Sequence, residues 1–128
     1  MRIDVLGVGF DNCTMDQAVA EGIRLMGDGG CHYVVTPNPE IVEMCREDEE
    51  VRRIINGADL VLPDGVGVIY AARMLGTPLK EKVPGVDFAQ KLMASMAGSG
   101  KTLFLLGAKP GVAEEAGRRL EAGYPGLR

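Results

Sequence analysis

The chain has 128 residues, room for one domain around one hydrophobic core. Fourteen Lys and Arg against eighteen Asp and Glu leave a net charge of −4, which argues against the basic face that a nucleic-acid binder turns toward phosphates. With 46% apolar and 25% charged residues the chain is too apolar for disorder, and its uncharged runs fall well short of the roughly 18 residues of a membrane span.

Short β-rich runs alternate with amphipathic stretches. Ile3–Val8 reads as a first strand. Thr14 is placed as an N-cap, with Gln17 at capping-box spacing, and Val19, Ile23 and Met26 follow at helical intervals as one buried stripe. Gly27-Asp28-Gly29-Gly30 stops that helix, and Cys31–Thr36 reads as a second strand. Asn38 can cap the next helix, Pro39 suits its first turn, and Glu40 favours the positive end of its dipole. That helix, about 39–46, turns Ile41, Val42, Met44 and Cys45 inward, and a further one runs from Asp48 to near Gly57. Leu60–Leu62 is a compact apolar strand that leads into Pro63-Asp64-Gly65-Val66-Gly67, then a helix with Val68, Ile69, Ala71, Ala72 and Met74. After a loop over 77–86, Asp87 is placed to cap a helix that buries Phe88, Leu92 and Met96. Thr102–Leu106 reads as a fourth strand, and Pro110 stands near the start of a last helix.

Strands separated by helices predict an α/β fold. The expected form is a Rossmann-like layered domain over 1–128, with a mostly parallel sheet flanked by helices. The pattern stops after a helix, so the sheet is small or unfinished, and a chain truncated at its C-terminus is expected. An unfinished sheet leaves an edge and apolar helix faces that a second copy would cover, which is compatible with a homo-oligomer. Cys13, Cys31 and Cys45 cannot all pair and form no Cys-x-x-Cys clip, and the acids of the first thirty residues are unlike a secretory signal. A reduced, cytoplasmic setting is the plain reading.

Glycine-rich stretches invite nucleotide-loop readings, and each fails on a residue. Gly98-Ser99-Gly100-Lys101-Thr102 has Ser95 where a P-loop needs its first glycine, and it precedes a strand. Gly7-Val8-Gly9 and Gly65-Val66-Gly67 lack the third glycine of a dinucleotide fingerprint, having Asn12 and Tyr70 there. His32 is the only histidine, no Asp-x-Asp pair exists to hold a divalent ion on a diphosphate, and Glu47–Glu50 reads as a solvated charge run.

The richer signals lie at the carboxyl ends of strands, where open α/β sheets bind ligands beside helix N-termini. Thr36-Pro37-Asn38 sits at one such end and Pro63-Asp64-Gly65 at another. Asp64 is either the cap of the following helix or a catalytic carboxylate, and the glycines after it let backbone approach a ligand. For Thr36 and Asn38 the plain turn is the stronger reading, since a Thr-Pro-Asn-Pro turn needs no ligand to explain it. Lys80 and Lys82 belong to an exposed loop or face a phosphate.

Val35–Glu40, Ala58–Val68 and Lys82–Asp87 resemble, in order and spacing, motifs of the WecG/TagA/CpsF glycosyltransferases, and Leu103–Pro110 is similar to that family's next strand and turn. The resemblance covers the whole chain but only the first half to two thirds of a typical member. It implies an inverting, metal-independent transferase with no cofactor, which moves an N-acetylmannosamine-type sugar from a UDP donor to an undecaprenyl-diphosphate-linked N-acetylglucosamine in wall teichoic acid or related polysaccharide synthesis. It implies further that Asp64 is the base, that Thr36, Asn38 and Gly65 line the pocket, and that Lys82 meets a phosphate. Lys82 stands where the family has arginine, keeping the charge without the planar fork. The family works at the inner face of the plasma membrane, engaging it through a C-terminal part with no counterpart here. Two rivals accompany this reading: a nucleotide-cofactor oxidoreductase on the same layered fold, and a fragment that folds without turning anything over.

Overall fold

The computed structural model describes residues 1–128, which group into two units, Met1–Phe88 and Ala89–Arg128. In the first, the opening apolar run is two strands rather than the one expected over Ile3–Val8. Strands β1 (Arg2–Val5) and β2 (Val8–Asp11) pair antiparallel, Ile3 opposite Phe10 and Val5 opposite Val8. All four of these side chains are buried, so the hairpin presents one apolar face to the core. The two-residue turn puts Leu6 at φ 50° and Gly7 at φ 95°. A tight hairpin needs positive φ at both central positions to match the twist of its strands, and glycine supplies the second without strain.

Helix α1 (Met15–Gly27) starts as its capping box predicts: Thr14 Oγ1 accepts from Gln17 N–H at 3.2 Å, and Gln17 Oε1 accepts from Thr14 N–H at 2.9 Å. Its buried face is Ala18, Gly22 and Leu25, one position off the expected stripe, and Ile23 is 44% exposed. Helix α2 (Pro39–Glu47) is capped by Asn38 and buries Val42 and Cys45, whereas Met44 lies exposed. Helix α3 (Glu49–Asn56) is capped by Asp48.

Strands β3 (Val34–Val35) and β4 (Leu60–Val61) are parallel neighbours. Their ladder continues outward, Asp59 N–H to the Tyr33 carbonyl at one end and Leu62 N–H to the Val35 carbonyl at the other. The parallel expectation therefore holds for this pair alone. The chain is mixed α/β with two two-stranded sheets, one of them antiparallel, and no mostly parallel Rossmann-like sheet is formed. Side chains explain why the hairpin does not extend the parallel pair. Val61 N–H donates to Asp11 Oδ2 at 2.8 Å, Gly9 N–H donates to Asn56 Oδ1 at 2.9 Å, and Asn56 Nδ2 donates to the Gly7 carbonyl at 2.9 Å. Backbone groups that a neighbouring strand would pair are thus satisfied from side chains.

Helix α4 (Val66–Met74) buries Val68 and Ala72 but leaves Met74, expected inside, almost fully exposed. Helix α5 (Gly85–Met96) begins two residues before Asp87, which lies in its first turn rather than at its cap; Phe88 N–H donates to the Pro84 carbonyl at 2.9 Å.

In the second unit α6 (Val112–Gly123) follows Gly111 at φ 87°. The expected strand Thr102–Leu106 is extended but belongs to no sheet; Leu103 N–H donates to the Arg128 carbonyl at 2.7 Å. Exposure alternates along it, with Leu103 and Leu105 half-buried and Phe104 and Leu106 at 81% and 91%. The pattern is that of a strand, but a strand needs a neighbour to pair with. No helix of the chain is long and apolar enough to cross a membrane.

Candidate active site

Three loops of the first unit meet where β3 and β4 end: Thr36–Asn38, Pro63–Gly67 and Lys82–Gly85. Backbone hydrogen bonds lace them together. Asp64 N–H donates to the Pro37 carbonyl at 3.3 Å and Val83 N–H to the Pro63 carbonyl at 2.7 Å. Pro37, Pro63 and Val83 are all fully buried, so the seams of this junction belong to the core.

Asp64 is half-buried at its centre. The next residue, Gly65, is the N-cap of α4 at φ 101°, and no side chain caps that helix. Asp64 is therefore not the cap of the helix that follows it. Its Oδ2 instead accepts from the N–H of Gly85, the first residue of α5, at 3.2 Å, while Oδ1 has no protein partner. The first turn of α4 carries neither a cap nor an acidic residue, so its leading N–H groups remain open to an anion.

Glycines make this closeness attainable. A Cβ on Gly67 would stand 2.7 Å from Pro39 Cγ, a collision that would drive apart the turns entering α2 and α4. A Cβ on Gly85 would stand 3.0 Å from Thr36 Oγ1 and 3.1 Å from its Cγ2. Thr36, Asp64, Gly65 and Gly85 are thus brought together. Asn38 shares the loop of Thr36, but its Oδ1 is committed to Ile41 N–H at 2.9 Å, leaving Nδ2 without a protein partner. Lys82 sits on the third loop beside the tethered Val83, its side chain exposed and in no ion pair.

The residue that sequence reasoning missed is Gly85. The signal was the Val83-Pro84-Gly85 turn, treated as loop because Asp87 drew the helix start to itself. Two of the three rejected nucleotide loops are rejected on geometry as well: Gly7-Val8-Gly9 spans the β1–β2 turn, and Gly98–Thr102 follows α5 instead of opening a helix, whereas Gly65-Val66-Gly67 does open α4 and lacks only the third glycine.

Parallel strand ends, two helix N-termini and a carboxylate with one unengaged oxygen meet at this junction, the kind of place where α/β sheets bind ligands. The chain belongs to the Glycosyl transferase WecG/TagA/CpsF family, which it matches over residues 3–128. Among curated proteins it is similar to the N-acetylglucosaminyldiphosphoundecaprenol N-acetyl-beta-D-mannosaminyltransferases of Staphylococcus aureus strains NCTC 8325 / PS 47, COL and MSSA476. Each is 33% identical over 98% of this chain and 50% of the relative. The chain thus spans about half the length of these relatives. Nothing in these likenesses supports an oxidoreductase.

Proposed function

We propose that this chain supplies the catalytic base and the donor-phosphate side of a glycosyltransferase. The enzyme transfers an N-acetylmannosamine-type sugar from a UDP donor to a lipid-diphosphate-linked N-acetylglucosamine, in the synthesis of a bacterial surface polymer such as wall teichoic acid. The name of the relatives supports the transferred sugar and the acceptor. The observation that carries the chemistry is the Asp64 carboxylate, anchored through Oδ2 with Oδ1 unengaged at the strand-end junction.

In the proposed step an acceptor hydroxyl oxygen attacks the anomeric carbon from the face opposite UDP. Its proton passes to Asp64, the bond from that carbon to the UDP oxygen breaks, and the configuration inverts. A carboxylate in hydrogen-bond reach contributes about 10²–10⁴-fold to such a step. Negative charge gathering on UDP is met by the uncapped start of α4 and by Lys82, which can swing from solvent as a point charge. Thr36 and the free Nδ2 of Asn38 position the sugar. The reading includes no metal, consistent with a sequence that has no Asp-x-Asp pair. A lipid-linked acceptor together with a nucleotide-sugar donor supports a reading in which the enzyme works at the cytoplasmic face of the membrane.

The test uses the polypeptide that the genome encodes around these 128 residues. It is given UDP-N-acetylmannosamine and a short-chain lipid-diphosphate N-acetylglucosamine, and the product anomer is assigned by NMR. The expected outcome is transfer with inversion, with Asp64→Asn lowering turnover by about 10²-fold or more and UDP affinity retained. Near-normal turnover in that variant removes the base, and a retained anomer removes the single-displacement step.

A further inference from the structure

We infer that Gly85 is a positioning residue for the Asp64 carboxylate: its N–H holds Oδ2, and its lack of a side chain makes the room in which Thr36 stands against the same turn. The inference rests on the proposed role of Asp64 as base.

Gly85 has two neighbours in the site at once. Its amide, the first of α5, donates to Asp64 Oδ2 at 3.2 Å, already toward the long end for such a bond. Its Cα faces Thr36, and an added methyl would meet Oγ1 at 3.0 Å, Cγ2 at 3.1 Å and Cβ at 3.3 Å. Rotation of Thr36 about χ1 exchanges Oγ1 and Cγ2 without moving Cβ, and a β-branched side chain has few rotamers to escape into. Any side chain at 85 must therefore displace either Thr36 or the start of α5. The turn cannot yield toward the β4 side, because Val83 N–H is tied to the Pro63 carbonyl at 2.7 Å. What yields is the 85-to-64 hydrogen bond. Once it is lost, the carboxylate turns freely about its side-chain bonds and Oδ1 leaves the line of the acceptor hydroxyl. Misplacement of a reacting group by about 1 Å costs on the order of 10²-fold in rate.

The experiment compares Gly85→Ala, Thr36→Ser, their combination and Asp64→Asn in the same full polypeptide, with transfer kinetics and amide NMR. Gly85→Ala is expected to lower kcat by about 10- to 100-fold with the donor KM held within about threefold, since geometry rather than binding is disturbed. Thr36→Ser removes Cγ2 and relieves the contact with an added methyl, so adding it to Gly85→Ala recovers part of kcat, while alone it lowers turnover because Thr36 positions the sugar. In the unsubstituted chain the amide proton at position 85 resonates downfield, and it moves upfield in both Asp64→Asn and Gly85→Ala. Normal kcat in Gly85→Ala, beside a crippled Asp64→Asn, overturns the inference and leaves the base intact. Normal turnover in Asp64→Asn overturns the base itself. Parallel loss of kcat and donor binding with no recovery in the double variant marks a merely structural glycine and also overturns the inference. Should Gly85→Ala not fold, an amide at position 85 that is unmoved by Asp64→Asn overturns it alone.

Discussion

Single side chains take the place of secondary structure at several points in the first unit. Asn56 substitutes for a neighbouring strand, accepting from Gly9 N–H and donating to the Gly7 carbonyl. Asn56→Ala leaves both partly buried backbone groups unpaired, at an expected cost of about 1–3 kcal/mol in urea denaturation. A change near zero shows water taking over both bonds. His32 bridges two elements in another way: Nε2 lies 2.7 Å from Asp28 Oδ2 beyond α1, and Nδ1 lies 2.9 Å from Asp59 Oδ1 before β4. Both nitrogens face carboxylates, an arrangement that favours the protonated ring, which donates from both. Its hydrogen bonds to Asp28 and then Asp59 raise its pKa above the ordinary value. The pKa of Asp28 is lowered by the Gly30 N–H and then by His32, and that of Asp59 by His32 and then by the Tyr33 N–H. A raised histidine stabilises fully below its unfolded pKa of about 6.5 and loses that stabilisation as pH rises through its folded pKa. The lowered carboxylates stabilise above an unfolded pKa of about 3.9 and lose their contribution as pH falls through their folded pKa values. The bridge is therefore strongest between about pH 4 and 6.5. The thermal midpoint of the unsubstituted chain is expected to exceed that of His32→Gln at about pH 5.5, with the gap closing as pH rises through the folded pKa of His32. A gap independent of pH means a neutral ring.

At the level of elements, whatever rests on neighbours in sequence was legible, and whatever rests on distant partners was not. Thr14 with Gln17, and Asn38 with Pro39, announce their helices because a cap is a contact across three residues. Thr14→Ala is accordingly expected to cost about 1 kcal/mol, read as a lower midpoint in thermal unfolding followed by circular dichroism. An unchanged midpoint means that α1 is held by its buried face alone. The hairpin was hidden because Val5-Leu6-Gly7-Val8 lacks the Asn-Gly or Asp-Gly of a readable turn. A trace was present: Ile3 and Val5 alternate on odd positions and Val8 and Phe10 on even ones, a phase break that only a turn produces. The α1 stripe was placed one position off because large residues were read as core, while the face that is buried carries Ala18 and Gly22 beside Leu25. In the candidate site Thr36, Asn38 and Asp64 could be read from strand-end motifs. The bond between Asp64 and Gly85 spans 21 residues and could not.

On the scale of the whole chain, the sheet is where local reading and tertiary outcome part. Thr102–Leu106 is an apolar run whose exposure alternates as a strand's does, yet it remains outside both sheets, with Phe104 and Leu106 turned to solvent. An extended, apolar segment with unpaired backbone groups is a template for another chain, and nothing along 102–106 blunts it after Lys101: no charge, no proline, no bulge. The 128-residue chain is thus expected to self-associate through this segment. Its mass in sedimentation or light scattering should climb with concentration. Replacing Phe104 and Leu106 with lysine places charges on the exposed side while keeping the half-buried Leu103 and Leu105. That double variant is expected to hold the monomer mass over the same range with an unchanged helical signal, because edge lysines oppose pairing without touching the packed face. If the unsubstituted chain stays monomeric throughout, the segment is quenched by its own unit. If the lysine variant associates equally, some other surface drives association; the exposed Tyr70 and Met74 of α4 are then the next to substitute.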